Sequence, residues 1–438
     1  MKLQIKSILL CTGLMMSLNA CSPRQTDLNA VTKANTKADA AATKAGRERI
    51  SISSMMSADG LVAAGEKLMT AHTLNYANHA FELALKKDPQ NMKAALYLAF
   101  LKRFMVFRGL YTRLAPMAQK YGYAADLAEK LNKIPKTSPL HDFFTRSAPN
   151  TPVFQTEEDI QNLLNQYKTA LQDFRTFVTA HQDLDLQLSM NSLMFGDQSM
   201  EKDDSQCKVF PKASQADATV ECTKSVSSTV KVNIADLMVL KQEAAGEILL
   251  LSLVNSYSLK GAAQVAKDIS TQKLSASQVA QMIESRVDLK LSKTQSLTDI
   301  RALGSDMSVA AKWAVKYHDS LCPSTNTQYP RQGYLVKEGV CTDQDKLSAD
   351  ITLVDQALAG LAPVNWSIES EDGQTHEYSA NVNILAPLDK PAQDLRSLGV
   401  KTWNAEGTSP TALRDNTLGG LFPEGNADSF LPANAPKQ

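Results

Sequence analysis

Residues 232–257 form the most apolar stretch of the chain after its first twenty residues and include Ile248-Leu249-Leu250-Leu251-Ser252-Leu253-Val254. Asp236, Lys241, Glu243 and Glu247 interrupt it. A membrane-crossing helix needs about eighteen to twenty consecutive apolar residues, so this segment reads as a central buried helix of a folded body. Such a helix has to be surrounded, and the neighbouring sequence supplies helices to surround it. Ile160, Leu163, Leu164, Tyr167, Leu171 and Phe174 recur at helical spacing behind Thr156-Glu157-Glu158-Asp159, a capped start. Ser275 with Gln278 three residues on opens another helix. Ile300, Leu303, Met307, Ala310, Ala314 and Tyr317 mark a further face, and Leu347, Ile351, Val354, Leu358 and Leu361 one more. The expected fold class is mainly α.

Two places alternate in the manner of strands. Val364, Trp366 and Ile368 lead to the turn Asp372-Gly373, and Tyr378, Ala380, Val382 and Ile384 lead back. A weaker hairpin is expected from Cys207-Lys208-Val209-Phe210 and Thr219-Val220-Glu221-Cys222. Both read as small inserts on the helical body.

The first twenty residues combine Lys2 and Lys6, an apolar run over 8–16, and the ending Leu18-Asn19-Ala20-Cys21. The run is too short to span a bilayer and reads as an export signal that is removed. Leu18-Asn19-Ala20-Cys21 resembles the lipobox of bacterial lipoproteins, with Asn19 departing from the usual small residue. The resemblance implies that Cys21 becomes the lipid-modified first residue, carrying up to three acyl chains, enough for stable anchoring. Ser22 stands where lipoproteins retained at the inner membrane usually carry Asp, which implies the outer membrane, facing the periplasm. An ordinary signal peptide whose cut site happens to precede a cysteine is the competing reading.

Residues 21–54 are polar, rich in Ala, Thr and Lys, and lack aromatic side chains, so they read as a flexible tether or as a marginal Ala-rich helix. Next come Leu61, Ala64, Gly65 and Leu68, then Ala77, Phe81, Ala84 and Pro89. This spacing resembles one tetratricopeptide repeat (TPR), with Leu61 and Leu68 in place of the usual aromatics and Ala64 in place of Leu. Gly65, Ala77 and Ala84 fall where two helices approach closely, and Phe81 fills the space between them. Residues 91–123 hold a degraded second copy, with Ala94, Leu98 and Leu101 on one face and Ala115 and Ala118 on the next, and no clean third copy follows. The expected architecture is a TPR-like array of helical hairpins over 55–134, continuing into a larger helical bundle over 153–386 with small disulfide-stapled β-hairpin inserts. A boundary is expected at Pro135, Pro139, Pro149 and Pro152. The irregular tail 387–438 is expected to fold back over the helical body with Leu421 and Phe422 as anchors, or to offer an exposed segment to a partner.

Four cysteines remain once Cys11 and Cys21 are set aside, and four allow three pairings. The local pairing, Cys207 with Cys222 and Cys322 with Cys341, is favoured because each pair brackets a polar, turn-rich insert. Each bridge would staple a segment with little core of its own. Neither a C-x-x-C pair nor a nearby His points to zinc or redox chemistry.

The chain holds 46 basic and 46 acidic residues, and loss of Lys2 and Lys6 with the leader would leave 44 against 46, a charge of −2. There is no basic excess for phosphate neutralisation, which argues against nucleic acid as a partner. No phosphate loop, H-E-x-x-H helix or G-x-S-x-G elbow occurs, and the six His are scattered. Glu369, Glu371, Asp372, His376 and Glu377 could meet a divalent cation, but a solvated turn explains them as well. Met190, Met194 and Met200 could offer thioethers to copper and equally fill a core. No metal or other cofactor and no catalytic residue is expected.

Three function classes follow. The leading one is a lipid-anchored helical scaffold that binds an envelope protein or peptide. The TPR resemblance implies a partner surface on the inner face of the first helices, with Tyr76, His79 and Lys93 as candidates. The second is a periplasmic small-molecule or lipid carrier with an apolar pocket, serving a transporter. The third and least supported is an envelope hydrolase, which needs an activated nucleophile or metal.

Overall fold

The computed structural model describes residues 47–69, 73–132, 139–145, 151–191, 207–211, 218–223, 227–294, 297–316, 359–369, 375–383 and 385–431, with 352, 355 and 356. Strand β1 (Arg47–Ile52) precedes α1 (Ala58–Lys67), α2 (Leu74–Lys87), α3 (Met92–Met105), α4 (Leu110–Tyr121), α5 (Ala124–Asn132), α6 (Pro139–Thr145) and α7 (Glu157–Ala180). Strands β2 (Asp185–Asn191), β3 (Cys207–Pro211), β4 (Ala218–Thr223) and β5 (Ser227–Asn233) lead into α8 (Ile234–Val254). Then follow α9 (Ala262–Thr271), α10 (Ala276–Arg286), α11 (Leu297–Lys316), β6 (Ala362–Glu369), β7 (Thr375–Val382), the single turn α12 (Ala386–Asp389), β8 (Val400–Trp403) and β9 (Pro410–Leu413). The described part is mainly helical with small antiparallel sheets.

The expected helix starts form for the expected reasons. Thr156 and Asp159 exchange hydrogen bonds in a capping box at α7, and Ser275 and Gln278 do the same at α10. Each box satisfies two N–H groups that a helix start leaves orphaned.

The core is built around α8. Leu237, Met238, Ala244, Ala245 and Ile248 are buried, α7 lies on one side of it and α11 on another. Asp306 of α11 pairs with Arg175 of α7 and, at 3.1 Å, with the buried Lys241 of α8, so one carboxylate ties three helices together. Enclosure is incomplete, because Leu250 and Leu253 near the end of α8 stay 43% and 39% exposed. The helix is central, yet its last turn reaches the surface.

Helices α1 and α2 pack as the small residues demand. Ala77, Phe81 and Ala84 are fully buried. A Cβ placed on Gly65 would lie 2.5 Å from Phe81 Cε1, so only glycine lets the Phe81 ring sit there. Phe81 stacks on Tyr97 of α3 with centroids 4.5 Å apart. The start of α1 meets the start of α3 where Asn91 Nδ2 donates to Asp59 Oδ1 at 3.3 Å.

Three expectations on organisation change. The tether expected over 21–54 extends too far, because residues 47–52 form β1, paired with β4, and bury Ile50 and Ile52 in the main core. Two apolar side chains at alternate positions were enough to recruit that polar-looking segment. The boundary expected at the Pro-rich stretch does not separate two cores, since one cluster of buried side chains includes Phe81, Leu101, Phe174, Ile248 and Leu303. The tail is more ordered than expected: it contains the β8–β9 pair, and Leu421 and Phe422 pack on Ala362 and Val382 of the β6–β7 hairpin. Other tail residues do reach the helical body, as Arg414 pairs with Glu284 of α10 at 2.6 Å and Gly407 O accepts from Ser277 N at 3.0 Å.

Both expected hairpins exist. Trp366 lies opposite Tyr378 and Val364 opposite Ala380 in β6–β7. Cys207 lies opposite Cys222 in β3–β4, which continues into β1 as a three-stranded sheet, order β1-β4-β3. The helical face expected at Leu347, Ile351, Val354 and Leu358 lies outside the described residues.

Candidate functional site

An open cleft of about 370 Å³ runs between α4 and α7, walled in part by the extended segment 151–155. That volume lies in the range of ligand-binding pockets, about 300–1,000 Å³. Gly109 starts α4 in the left-handed region at φ 65° and donates to Phe143 O at 2.8 Å, which anchors this corner. Phe154 N donates to Arg113 O at 2.8 Å, and the Phe154 ring is buried with Leu110 and Leu163. Arg113 closes the base. Its Nε donates to Pro152 O at 3.1 Å, its Nη1 to Val106 O at 2.8 Å, and its guanidinium lies 4.3 Å over the Phe154 ring. Burial holds the Arg113 guanidinium below its ordinary value.

The other wall is one face of α7. Asn162, Asn165, Gln166 and Thr169 recur at helical spacing and line the cleft, with Asp159 at its end. The side-chain amides of Asn162, Asn165 and Gln166 have no protein partner among the described residues, while Thr169 Oγ1 donates to Asn165 O at 3.0 Å. Asp159 Oδ2 accepts from Gln155 N and Thr156 N at 2.7 and 2.9 Å, and these bonds hold its carboxyl below the usual range. Each free amide presents one acceptor and two donors, the pairing that an extended peptide backbone offers in reverse. This polar face is legible in the sequence beside the apolar stripe on the opposite side of α7, but only the position of α4 shows what it confronts.

The expected partner-surface residues are divided. Lys93 Nζ pairs at 2.7 Å with Glu66, a carboxylate on α1 that is itself 8% exposed. Glu66 Oε1 also accepts from Tyr97 OH at 2.8 Å and from Ser189 N at 3.0 Å. Burial, then the Glu66 charge, pushes the Tyr97 phenol well above its ordinary value. Lys93 is therefore committed to a buried polar knot that ties α1, α3 and β2. Tyr76 and His79 share a half-buried face of α2, and His79 lies 3.9 Å from Glu82. No hydrogen bond or ion pair joins Lys93 to Tyr76 or His79 among the described residues.

A second buried polar group sits inside the helices. Arg103 of α3 is 7% exposed and lies 4.5 Å over the Phe174 ring, with the α8 carboxylates Glu243 and Glu247 acting on it electrostatically. Tyr167 OH donates to Glu247. Burial raises the Glu243 carboxyl to about 7, with Arg103 pulling it down and Glu247 pushing it up. Glu247 is also raised, mainly by burial. Sequence reasoning noted these two glutamates only as interruptions of an apolar run.

Cys21, Cys322 and Cys341 lie outside the described residues, as do Glu371, Asp372, Met194 and Met200. Among the described residues no group of three His, Cys, Asp or Glu could hold a metal ion. No helix among them is long and apolar enough to cross a membrane. No protein-family model, no curated protein and no solved structure matches this chain.

Proposed function

We propose that the chain is a lipid-anchored scaffold of the bacterial cell envelope, held at the outer membrane through Cys21 and facing the periplasm, whose helices bind an envelope protein or peptide. The observation that supports it best is the α4–α7 cleft, which meets solvent with unspent side-chain amides on a rigid helix. Rigid polar groups that give up no internal bond are well suited to peptide recognition. The close α1–α2 packing around Gly65 and Phe81 supports a TPR-like origin for the first helices. The facing register of Cys207 and Cys222 supports a bridge across β3–β4, since directly opposed residues of an antiparallel pair have Cα atoms about 4.5–5.5 Å apart and disulfides need about 4.4–6.8 Å. The pair Cys322 and Cys341 rests on sequence alone.

The carrier reading has less support. The enclosed apolar gap beside Met69, Phe100 and Phe174 is about 20 Å³, room for a single water. The test of the leading reading has two parts. Wild-type protein takes up labelled fatty acid and fractionates with membranes, Cys21→Ser does neither, and cross-linking in cells recovers a specific envelope protein. A serine variant that stays with membranes, or a chain that recovers no partner, overturns it.

A further inference from the structure

Arg113 is the cation among the described residues that line the cleft, and its bonding there is unfinished. It is 4% exposed, and no carboxylate pairs with it among the described residues. Buried guanidinium groups normally face a counter-charge, because an unpaired buried ion is costly. Here two of the three nitrogens give their protons to the carbonyls of Pro152 and Val106, and a ring covers one face. Nη2 has no protein acceptor among the described residues, and Arg113 lines the cleft. The charge is thus presented on a fixed fork, with its orientation already set by Nε and Nη1.

We infer that the cleft takes an extended peptide segment bearing a carboxylate, which Arg113 Nη2 receives while Asn162, Asn165 and Gln166 bond the peptide backbone on either side. The inference rests on the peptide-binding reading above and names its ligand. From Asn162 to Thr169 the wall rises about 10 Å at 1.5 Å per residue, which matches about three extended residues at about 3.3 Å each. A dianionic phosphate fits less well. Only one guanidinium nitrogen lacks an acceptor among the described residues, and Asp159 lines the same cleft with its own negative charge, so a monoanion is the better match. A sugar fits less well too, because Phe154, the aromatic at the cleft, is 2% exposed and offers no open ring face.

The test uses the full chain and a library of random octapeptides, half with amidated and half with free C-termini. Selected amidated peptides are expected to be enriched in Asp or Glu about tenfold over Asn and Gln, as a charge-assisted bond to guanidinium predicts. Enrichment only in the free-terminus half assigns the carboxylate to the chain end and upholds the same chemistry. Because Arg113 also braces residues 106 and 152, Arg113→Gln can unfold the corner, so Gln166→Glu, at an exposed helix position, serves as the second variant. It should repel the carboxylate and lower acidic-peptide binding about tenfold without changing the melting temperature. Enrichment without acidic preference, no enrichment over bare beads, or a Gln166→Glu variant that binds as wild type overturns the inference. If cells still yield a cross-linked envelope protein in those cases, the scaffold reading stands and only the cleft is lost.

Discussion

Single side chains in this protein are under unequal pressure, and Gly65 is among the tightest. A methyl group there meets the Phe81 ring at 2.5 Å, and Phe81 has no room to retreat because it stacks on Tyr97. Gly65→Ala should therefore destabilise the protein by about 1–3 kcal/mol in urea unfolding, in spite of the better helix propensity of Ala. Glu243 behaves in the opposite sense. Its carboxyl is raised from 4.5 to about 7 by burial, so between those values the folded protein keeps a proton that the unfolded chain has released. Stability tied to this group is fully present below about pH 4.5 and is lost as pH rises through about 7. Glu243→Gln should flatten that fall and raise stability at pH 8 by about 1–2 kcal/mol, read from unfolding midpoints at pH 5 and pH 8.

Elements here depend on partners that are distant in sequence. Strand β1 exists because β4, some 170 residues later, supplies its ladder and because Ile50 and Ile52 point into the core. The β3–β4 pair is a hairpin with Cys207 facing Cys222. Peptide mapping without reductant should find a Cys207–Cys222 linked peptide, and Cys207→Ser should lower stability by about 3 kcal/mol, the chain-entropy value for a loop of about 15 residues. Recovery of a Cys207 peptide linked to Cys322 or Cys341 instead would show a non-local pairing. Helix α7 serves two masters: Tyr167, Leu171 and Phe174 bind it to the core, and the opposite face leaves its amides to the cleft.

For the whole molecule, the decisive feature is that residues from Ile50 to Leu303 share one buried cluster. Damage at one place should then be felt everywhere in it. Asp306→Ala removes the carboxylate that pairs with Arg175 and with Lys241, whose side chain is 4% exposed, and leaves the buried Lys241 cation behind. A loss of about 3–5 kcal/mol is expected. Hydrogen exchange should speed up in α2 and α8 together, whereas two independent cores would leave α2 protected.

The sequence by itself determined the helical class, the capped starts of α7 and α10, both hairpin pairings and the packing role of Gly65 and Phe81, because each depends on contacts between near neighbours or on a local period. It also carries Leu18-Asn19-Ala20-Cys21, the local motif on which the proposed lipid anchor rests. Only the tertiary structure decided that residues 47–52 are a strand, that the Pro-rich stretch interrupts no core, that Lys93 is committed to Glu66, and that Arg113 and the amides of α7 line one cleft. Those facts join residues tens to hundreds of positions apart, and the polar ones turn on which donor finds which acceptor once water is excluded. Periodicity says which face of a helix is dry; it does not say what the wet face will meet.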